Sequence, residues 1–237
     1  EIAQCLVGSE MCIRDSMMIM IIYALITIAI FGMWYYARYE GNFLPSPKKT
    51  FNPMMLMAIV ILVPGTQFAA NFIANLTGYI RPDWLQQYNE LFETSGITDT
   101  TFVTVLYSVI LAPICEELIF RGVTMRCARK ALPFALANLM QAALFGLFHL
   151  NWIQGIYAFA LGIVLGYVCE CGGSIYYSIG LHLLFNLWGT LSGFFPDPGN
   201  SVVVFVIVIA VTIVSLVVGF VLFNKGRRKL PINSTGI

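Results

Sequence analysis

The sequence predicts an all-α membrane protein, a polytopic transmembrane helix bundle of about seven spans with one short interfacial helix. Of its 237 residues, 59% are apolar and only 11% are charged, and the mean hydropathy is +0.81. A soluble domain carries about 25% charged residues, so this composition argues against a water-soluble globule, a disordered chain and a nucleic-acid-binding protein. The apolar residues also gather into separate stretches, each close to the about 20 residues that a bilayer-spanning helix needs.

The apolar stretches predict both the outer and the inner helices of the bundle. They lie near residues 17–36, 52–76, 101–118, 133–150, 152–169, 174–194 and 201–223. The first and the last are apolar all round, which predicts lipid-facing helices. The middle stretches carry the few ionisable side chains together with many small residues, so they are expected to form the inner bundle. Gly162 and Gly166 have the Gly-x-x-x-Gly spacing of closely packed membrane helices.

A polar connection, residues 81–100, separates the second and third stretches. Within it Trp84, Leu85 and Tyr88 recur at helical spacing, with acidic and amide side chains between them. This pattern predicts a short amphipathic helix that lies at the membrane interface. An ordinary loop with a few aromatic residues is the alternative.

The first 16 residues do not resemble the start of a membrane protein. They contain neither the charged region nor the apolar region of a signal peptide, and they end abruptly at the first apolar stretch. Residues 1–16 can be back-translated into the end sequences of a sequencing-library adapter. We therefore expect residues 1–16 to be an artefact, with native sequence from near Met17 and one membrane domain over residues 17–237. The coding DNA tests this expectation.

The basic residues predict the orientation of the bundle. With seven spans, nearly all of them fall on one side of the membrane: Arg38, Lys48, Lys49, Arg121, Arg126, Arg129, Lys130, Lys225, Arg227, Arg228 and Lys229. Only Arg81 falls on the other side, apart from the suspected N-terminal artefact. Basic residues are retained in cytoplasmic loops. The bias therefore predicts a cytoplasmic C-terminus. We expect an integral membrane protein of a bacterial plasma membrane.

Ionisable residues inside spans are costly and indicate a functional site. The first group is the Glu-Glu-x-x-x-Arg motif at 116–121. Glu117 and Arg121 have the i, i+4 spacing of a helix ion pair, whereas Glu116 points about 100° away around the helix. One carboxylate can thus be neutralised while the other serves acid–base chemistry. A fixed structural network at the cytoplasmic rim explains the same residues equally well.

The two histidines of the chain form the second and third groups. Phe145 and His149 share one helix face, and His182 and Asn186 share another. Glu and His side chains together can bind a divalent metal or polarise water, and an Asn can stabilise an oxyanion. A histidine that merely packs in the helix is the alternative for each. The spacing requires any site to be assembled from three helices.

These three motifs, in this order and in separate apolar helices, resemble the CPBP family of CAAX proteases and bacteriocin-processing enzymes, which includes the Ras-converting CAAX endopeptidases. The similarity covers the core at about 101–190, and every motif position matches. The resemblance implies an intramembrane endopeptidase, a hydrolase of CAAX-box protein processing, with its site open to the cytosol. It implies Glu116 as the base that activates water and His149 as its partner in holding that water.

The resemblance further implies that His182 and Asn186 stabilise the oxyanion and that Glu117 and Arg121 orient Glu116, with Phe145 in support. Members of the family are described both as metalloproteases and as glutamate proteases. Glu116, His149 and His182 would be the ligands of a zinc ion, and the sequence leaves metal dependence open, with a slight preference for no tightly bound metal. The expected partners are membrane lipids and a peptide or protein substrate, lipidated or not, and no nucleic acid.

Two other functions remain open at this point. A bacteriocin self-immunity protein or a scaffold would keep the fold without catalysis, although its motif residues would then be free to drift. A proton-coupled transporter would also use intramembrane Glu and His residues. Such transporters usually contain repeated halves with interrupted helices, and this sequence contains no visible repeat.

Overall fold

The computed structural model describes residues 2–39, 52–95, 101–192 and 201–227, and this part of the chain is helical almost throughout, with no strand. It confirms the predicted all-α membrane bundle. The helices of the described ranges are α1 Ile2–Tyr39, α2 Pro53–Ile80, α3 Pro82–Ser95, α4 Phe102–Ala128, α5 Phe134–Phe148, α6 Trp152–Gly172, α7 Ile175–Ser192 and α8 Val202–Arg227.

Five of these helices are long and apolar enough to cross a bilayer, namely Met18–Ala37 within α1, α2, α4, α6 and α8. The α5 helix has 15 residues and α7 has 18 residues. At a rise of about 1.5 Å per residue they are about 22 and 27 Å long, against a hydrocarbon core of about 30 Å. All seven predicted stretches are thus helical, and the number that cross the membrane stays a prediction.

The predicted end of the third stretch, near residue 118, is wrong, because α4 continues to Ala128. The apolar pattern breaks at Arg121, but this side chain is fully buried and ion-paired inside the bundle. Phe120 just before it and Met125 beyond it are also buried. The interior therefore accepts the charged residue and the helix continues past it.

The α4 helix contains two π-helical segments, Leu106–Leu111 and Leu118–Met125, on either side of Ala112–Glu117. A π segment hydrogen-bonds from residue i to i+5 and shifts the helix face that follows it; such segments are frequent at functional sites. Glu116 and Glu117 thus lie on a short α-helical turn between two widened segments.

The predicted amphipathic helix is confirmed as α3, within the predicted range 81–100. Its first turn is fixed by Arg81, whose guanidinium contacts the Asp83 carboxylate at 2.6 Å and lies 4.3 Å from the centre of the Trp84 ring. This hydrogen-bonded pair lowers the pKa of Asp83. Trp84 in turn stacks on Trp152 at the start of α6, with 5.3 Å between ring centres. Residues 96–100 lie outside the described ranges.

The outer helices behave as predicted. Only 17% of the apolar window of α1 and 11% of that of α8 is buried inside the bundle. The α8 helix lies against α2 through small residues: a side chain at Gly219 would meet Leu62 at 2.6 Å, and the Gly65 N–H donates to the Ser215 hydroxyl. Small residues permit such close approach between membrane helices.

The glycines of α6 bring it close to α5, as their spacing predicts. A Cβ on Gly162 would lie 3.1 Å from Ala142, and one on Gly166 would clash with the Asn138 Oδ1 atom. Gly155 packs on the backbone of Gly146 in the same way. These close contacts position the backbone of α6 for the polar interactions described below.

The basic residues of the described ranges from residue 52 onward, apart from Arg81 and Arg121, lie at one end of the bundle, here called the basic end. There Arg126 donates to the Tyr35 hydroxyl at 2.9 Å, and Arg129 pairs with Glu170 at 3.0 Å. Asn52 donates to the Gly226 carbonyl of α8 at 3.0 Å, so the C-terminal end of α8 also lies at the basic end. The opposite end, with α3 and the start of α6, is called the α3 end.

We predict that Gly166→Ala destabilises the protein by about 1–3 kcal/mol, as overpacking of a close interface does. The added methyl group has no room beside Asn138, so α5 and α6 must separate. Thermal unfolding of the purified protein in detergent measures the effect. Gly180→Ala is the matched control, because its Cβ meets nothing within 4 Å. Equal melting temperatures for the two variants would contradict the close contact.

Candidate active site

The predicted i, i+4 pair of Glu117 and Arg121 is a salt bridge in the centre of the bundle. The Arg121 Nη1 atom lies 2.8 Å from the Glu117 Oε1 atom, and both side chains have 0% exposure. Burying two charges is favourable only when their attraction is supplemented by further interactions. Arg121 also donates through Nη2 to the Gly162 carbonyl at 3.2 Å and lies 4.5 Å from the centre of the Phe145 ring.

Two amide side chains of α5 extend this polar layer, and the sequence analysis missed them. Gln141 donates through Nε2 to the Gly162 carbonyl at 2.8 Å and to the Asn138 Oδ1 atom at 2.7 Å. Asn138 donates to the Ile163 carbonyl at 3.0 Å. The signal was available, because these two amides, three residues apart, interrupt an otherwise apolar helix. They anchor the backbone carbonyl that Arg121 uses.

His182 connects the buried ion pair to Glu116. Its Nδ1 atom lies 2.9 Å from the Glu117 Oε1 atom, and its Nε2 atom lies 3.6 Å from the Glu116 Oε2 atom. An ionised carboxylate only accepts hydrogen bonds, so the Nδ1 atom carries the proton. The Nε2 atom faces Glu116. Glu117, paired with Arg121, therefore holds His182 directly, and the expected orientation of Glu116 by this pair stays a prediction.

Glu116 lies in a different environment from its neighbour, as the predicted 100° separation requires. Its side chain is 17% exposed, whereas that of Glu117 is fully buried. Tyr107 from the first π segment and Tyr157 from α6 lie close enough to interact with its charge. Glu116 is thus the partly accessible carboxylate of the pair.

His149 is the C-cap residue of α5. Its Nδ1 atom lies 2.8 Å from the Phe145 carbonyl oxygen, which assigns the ring proton to Nδ1 and leaves Nε2 as an acceptor. The Phe145 ring makes edge contacts with both histidines, with ring centres 4.9 Å from His149 and 5.8 Å from His182. Phe145, predicted as a supporting residue, therefore lies between the two histidines.

Asn186 lies one helical turn after His182 on α7. Its Nδ2 atom donates to the Ser108 carbonyl at 2.8 Å. Ser108 belongs to the first π segment of α4. One of the two amide N–H donors is thus used to join α7 to α4, and the second is left for another acceptor.

The interfacial helix reaches toward this group of residues. The Tyr88 hydroxyl of α3 is hydrogen-bonded to that of Tyr157, whose ring in turn lies near Glu116. Burial raises the pKa of Tyr88, so its hydroxyl remains protonated at neutral pH. This hydrogen bond and the stacked Trp84 and Trp152 rings hold α3 against the first part of α6.

The predicted zinc ligands do not form a complete metal site. In the ranges that the structure describes, no group of three His, Cys, Asp or Glu side chains is arranged to hold a metal ion. The spacing of 3.6 Å between His182 Nε2 and Glu116 Oε2 would suit two ligands of one ion, since zinc bonds to these atoms are about 2.0–2.2 Å long. His149 does not complete the set with them, and a catalytic zinc has three protein ligands.

Comparison with known proteins supports the resemblance that the motifs indicate. A sequence profile of the Rce1-like family, described as type II CAAX prenyl endopeptidase Rce1-like, matches residues 98–188. No curated protein and no solved structure matches the chain. The profile covers less than half of the chain but includes Glu116, His149, His182 and Asn186. The predicted family resemblance is confirmed over this segment, and it supports a CAAX-type endopeptidase, a hydrolase with a peptide or protein substrate in a membrane environment.

We predict that Arg121→Met destabilises the protein by about 3–5 kcal/mol, because it leaves the buried Glu117 without its counter-charge. The double variant Glu117→Gln/Arg121→Met removes both charges and is expected to recover a large part of this loss. Thermal unfolding in detergent distinguishes the two. A double variant no more stable than the single one would contradict a buried charge pair.

Proposed function

We propose that the protein is an intramembrane endopeptidase that hydrolyses a peptide bond of a membrane-associated or lipidated protein or peptide. The observation that carries the proposal is the position of His182, held by the buried Glu117–Arg121 pair with its Nε2 atom 3.6 Å from the partly exposed Glu116. A purely structural network would have no need for a second, accessible carboxylate beside the held imidazole. The match to the Rce1-like endopeptidases supports the same activity.

In this proposal Glu116 is the general base. Its carboxylate takes a proton from a water molecule, and the oxygen of that water forms a bond to the carbonyl carbon of the peptide. The carbonyl electron pair moves onto its oxygen. Glu116 then gives the proton to the leaving nitrogen as the carbon–nitrogen bond breaks, which yields a carboxylic acid and an amine. His149, with Nε2 free to accept a hydrogen bond, helps to hold the water.

His182 and Asn186 stabilise the negative oxygen of the tetrahedral intermediate. A protonated His182 keeps its Nδ1–H on Glu117 and presents its Nε2–H as a donor. Asn186 donates its second amide N–H, while the first holds the Ser108 carbonyl. Donors that are fixed before the reaction stabilise developing charge most effectively, and both residues are fixed through one bond to α4.

The experiment that tests the proposal is cleavage of peptides by the purified protein in lipid vesicles, with one prenylated CAAX-type peptide and one bacteriocin-leader-type peptide. We predict that Glu116→Gln, His149→Ala and His182→Ala each lower kcat by about 100-fold or more, as the loss of a general base or an oxyanion donor does.

Glu170→Gln is the matched control for these variants. It also removes a carboxylate, but at the basic end, where Glu170 pairs with Arg129. Its turnover should equal that of the unmodified protein. Full activity of Glu116→Gln, with both peptides cleaved as before, would refute the assigned base.

We also predict that cleavage continues in the presence of a strong chelator, because Glu116 and His182 alone provide too few ligands for a catalytic zinc. The measurement is the initial cleavage rate after prolonged incubation with the chelator and its removal by dialysis. Loss of activity that returns on addition of Zn²⁺ alone would contradict the direct use of Glu116 as base and would favour a metal held by Glu116, His149 and His182.

A further inference from the structure

The groups proposed for catalysis lie on one side of a buried polar layer. Glu117, Arg121 and Gln141 each have 0% exposure and join α4, α5 and α6. Along α4, Arg121 lies one turn nearer the basic end than Glu117. One further turn toward that end, Met125 packs with Ile175 in a buried apolar cluster. From the basic end, a peptide would have to pass both the apolar cluster and the ion pair to reach Glu116.

The other side of the layer is more open. Glu116 is 17% exposed, His149 and Asn186 are partly exposed, and Leu150, next to His149, is 94% exposed. Leu150 has a positive φ of 54° and turns the chain between α5 and α6. This turn lies at the α3 end, since α6 begins at Trp152, which stacks on Trp84 of α3. Among the described residues, the exposed groups of the site thus lie on the side of the α3 end.

The two ends differ in charge in a way that predicts their sides of the membrane. In the described ranges from residue 52 onward, Arg126, Arg129, Lys130, Lys225 and Arg227 lie at the basic end and Arg81 lies at the α3 end. Arg14 belongs to the suspected N-terminal artefact. Lys and Arg residues near span ends are retained on the cytoplasmic side. The sequence analysis predicted both a cytoplasmic C-terminus and a site open to the cytosol, but the C-terminal end of α8 and the accessible face of the site lie at opposite ends of the bundle.

We propose that the site opens at the α3 end onto the extracytoplasmic face of the membrane. Its substrate is then a peptide segment that lies on that face, such as part of a secreted or surface-anchored chain. The statement about the substrate rests on the proposed peptidase function, whereas the statement about access does not. The α3 helix, attached through Tyr88 and Tyr157, lies at the entrance.

Side-specific labelling of single cysteines tests the direction of access. In a background without the other cysteines, Leu150→Cys and Asn186→Cys report on the site, and the native Cys127, exposed in the bundle, reports on the basic end. A charged, membrane-impermeant thiol reagent is applied to right-side-out and to inside-out vesicles. We expect Leu150→Cys and Asn186→Cys to react in right-side-out vesicles, and Cys127 to react only in inside-out vesicles.

The reverse pattern, with the site cysteines reacting only in inside-out vesicles, would overturn the proposal. Failure of both site cysteines to react in either preparation would also overturn it, because a site that opens at the α3 end must admit the reagent there. A cooperative thermal transition near that of the unmodified protein confirms that each variant is folded, so lack of reaction reports on access. Asn186→Cys is used for labelling only, since its activity is expected to fall.

Peptide added to right-side-out vesicles tests the statement about the substrate. Cleavage of an impermeant peptide on the outside, lost in Glu116→Gln, supports an extracytoplasmic substrate. Cleavage only in inside-out vesicles would refute it. If labelling shows access from outside but no peptide is cleaved in either orientation, the proposed peptidase function fails while the direction of access stands.

Discussion

The buried ion pair between Glu117 and Arg121 is the interaction on which the arrangement of the inner helices depends. A guanidinium in a membrane interior is unfavourable unless its charge is paired and supported by hydrogen bonds. Arg121 meets the Glu117 carboxylate, the Gly162 carbonyl and the Phe145 ring, which come from three helices. The same carboxylate holds His182 from a fourth helix. The charge of one residue thus draws α4, α5, α6 and α7 to a common point.

This ion pair also explains why the glycines of α6 matter. A helix carbonyl such as that of Gly162 has a second lone pair beside the one used within the helix, and here it accepts from both Arg121 and Gln141. Such convergence requires the backbone of α6 to come within hydrogen-bond distance of two side chains on neighbouring helices. A Cβ at Gly166 would occupy the position of the Asn138 amide. The small-residue surface is therefore the condition under which the polar layer can form.

The sequence predicted those features that depend on local periodicity. Helix class, the amphipathic α3, the spacing of Glu117 and Arg121, and the opposed environments of Glu116 and Glu117 all follow from the helical repeat. The sequence did not reveal that Glu117 would contact His182, which is 65 residues away, because a contact between distant helices depends on their packing. The C-terminal end of α4 was predicted too early for a related reason. Arg121 can be buried there only because it finds partners on α5 and α6. The roles of Asn138 and Gln141 could have been suspected from their polarity alone.

The short α5 helix determines the depth at which His149 and the turn after it lie. With one end at the basic interface, a helix of 15 residues, about 22 Å long, ends within the hydrocarbon thickness of about 30 Å. Backbone that leaves helical geometry at that depth is tolerated only where protein or a water-filled cavity satisfies it. His149, Leu150 and Asn151 occupy this position, and the Asn151 side chain accepts from the Gln154 N–H at 3.1 Å to start α6. The shortness of α5 thus sets the His149 imidazole and the exposed turn at Leu150 on the same side of the polar layer as Glu116.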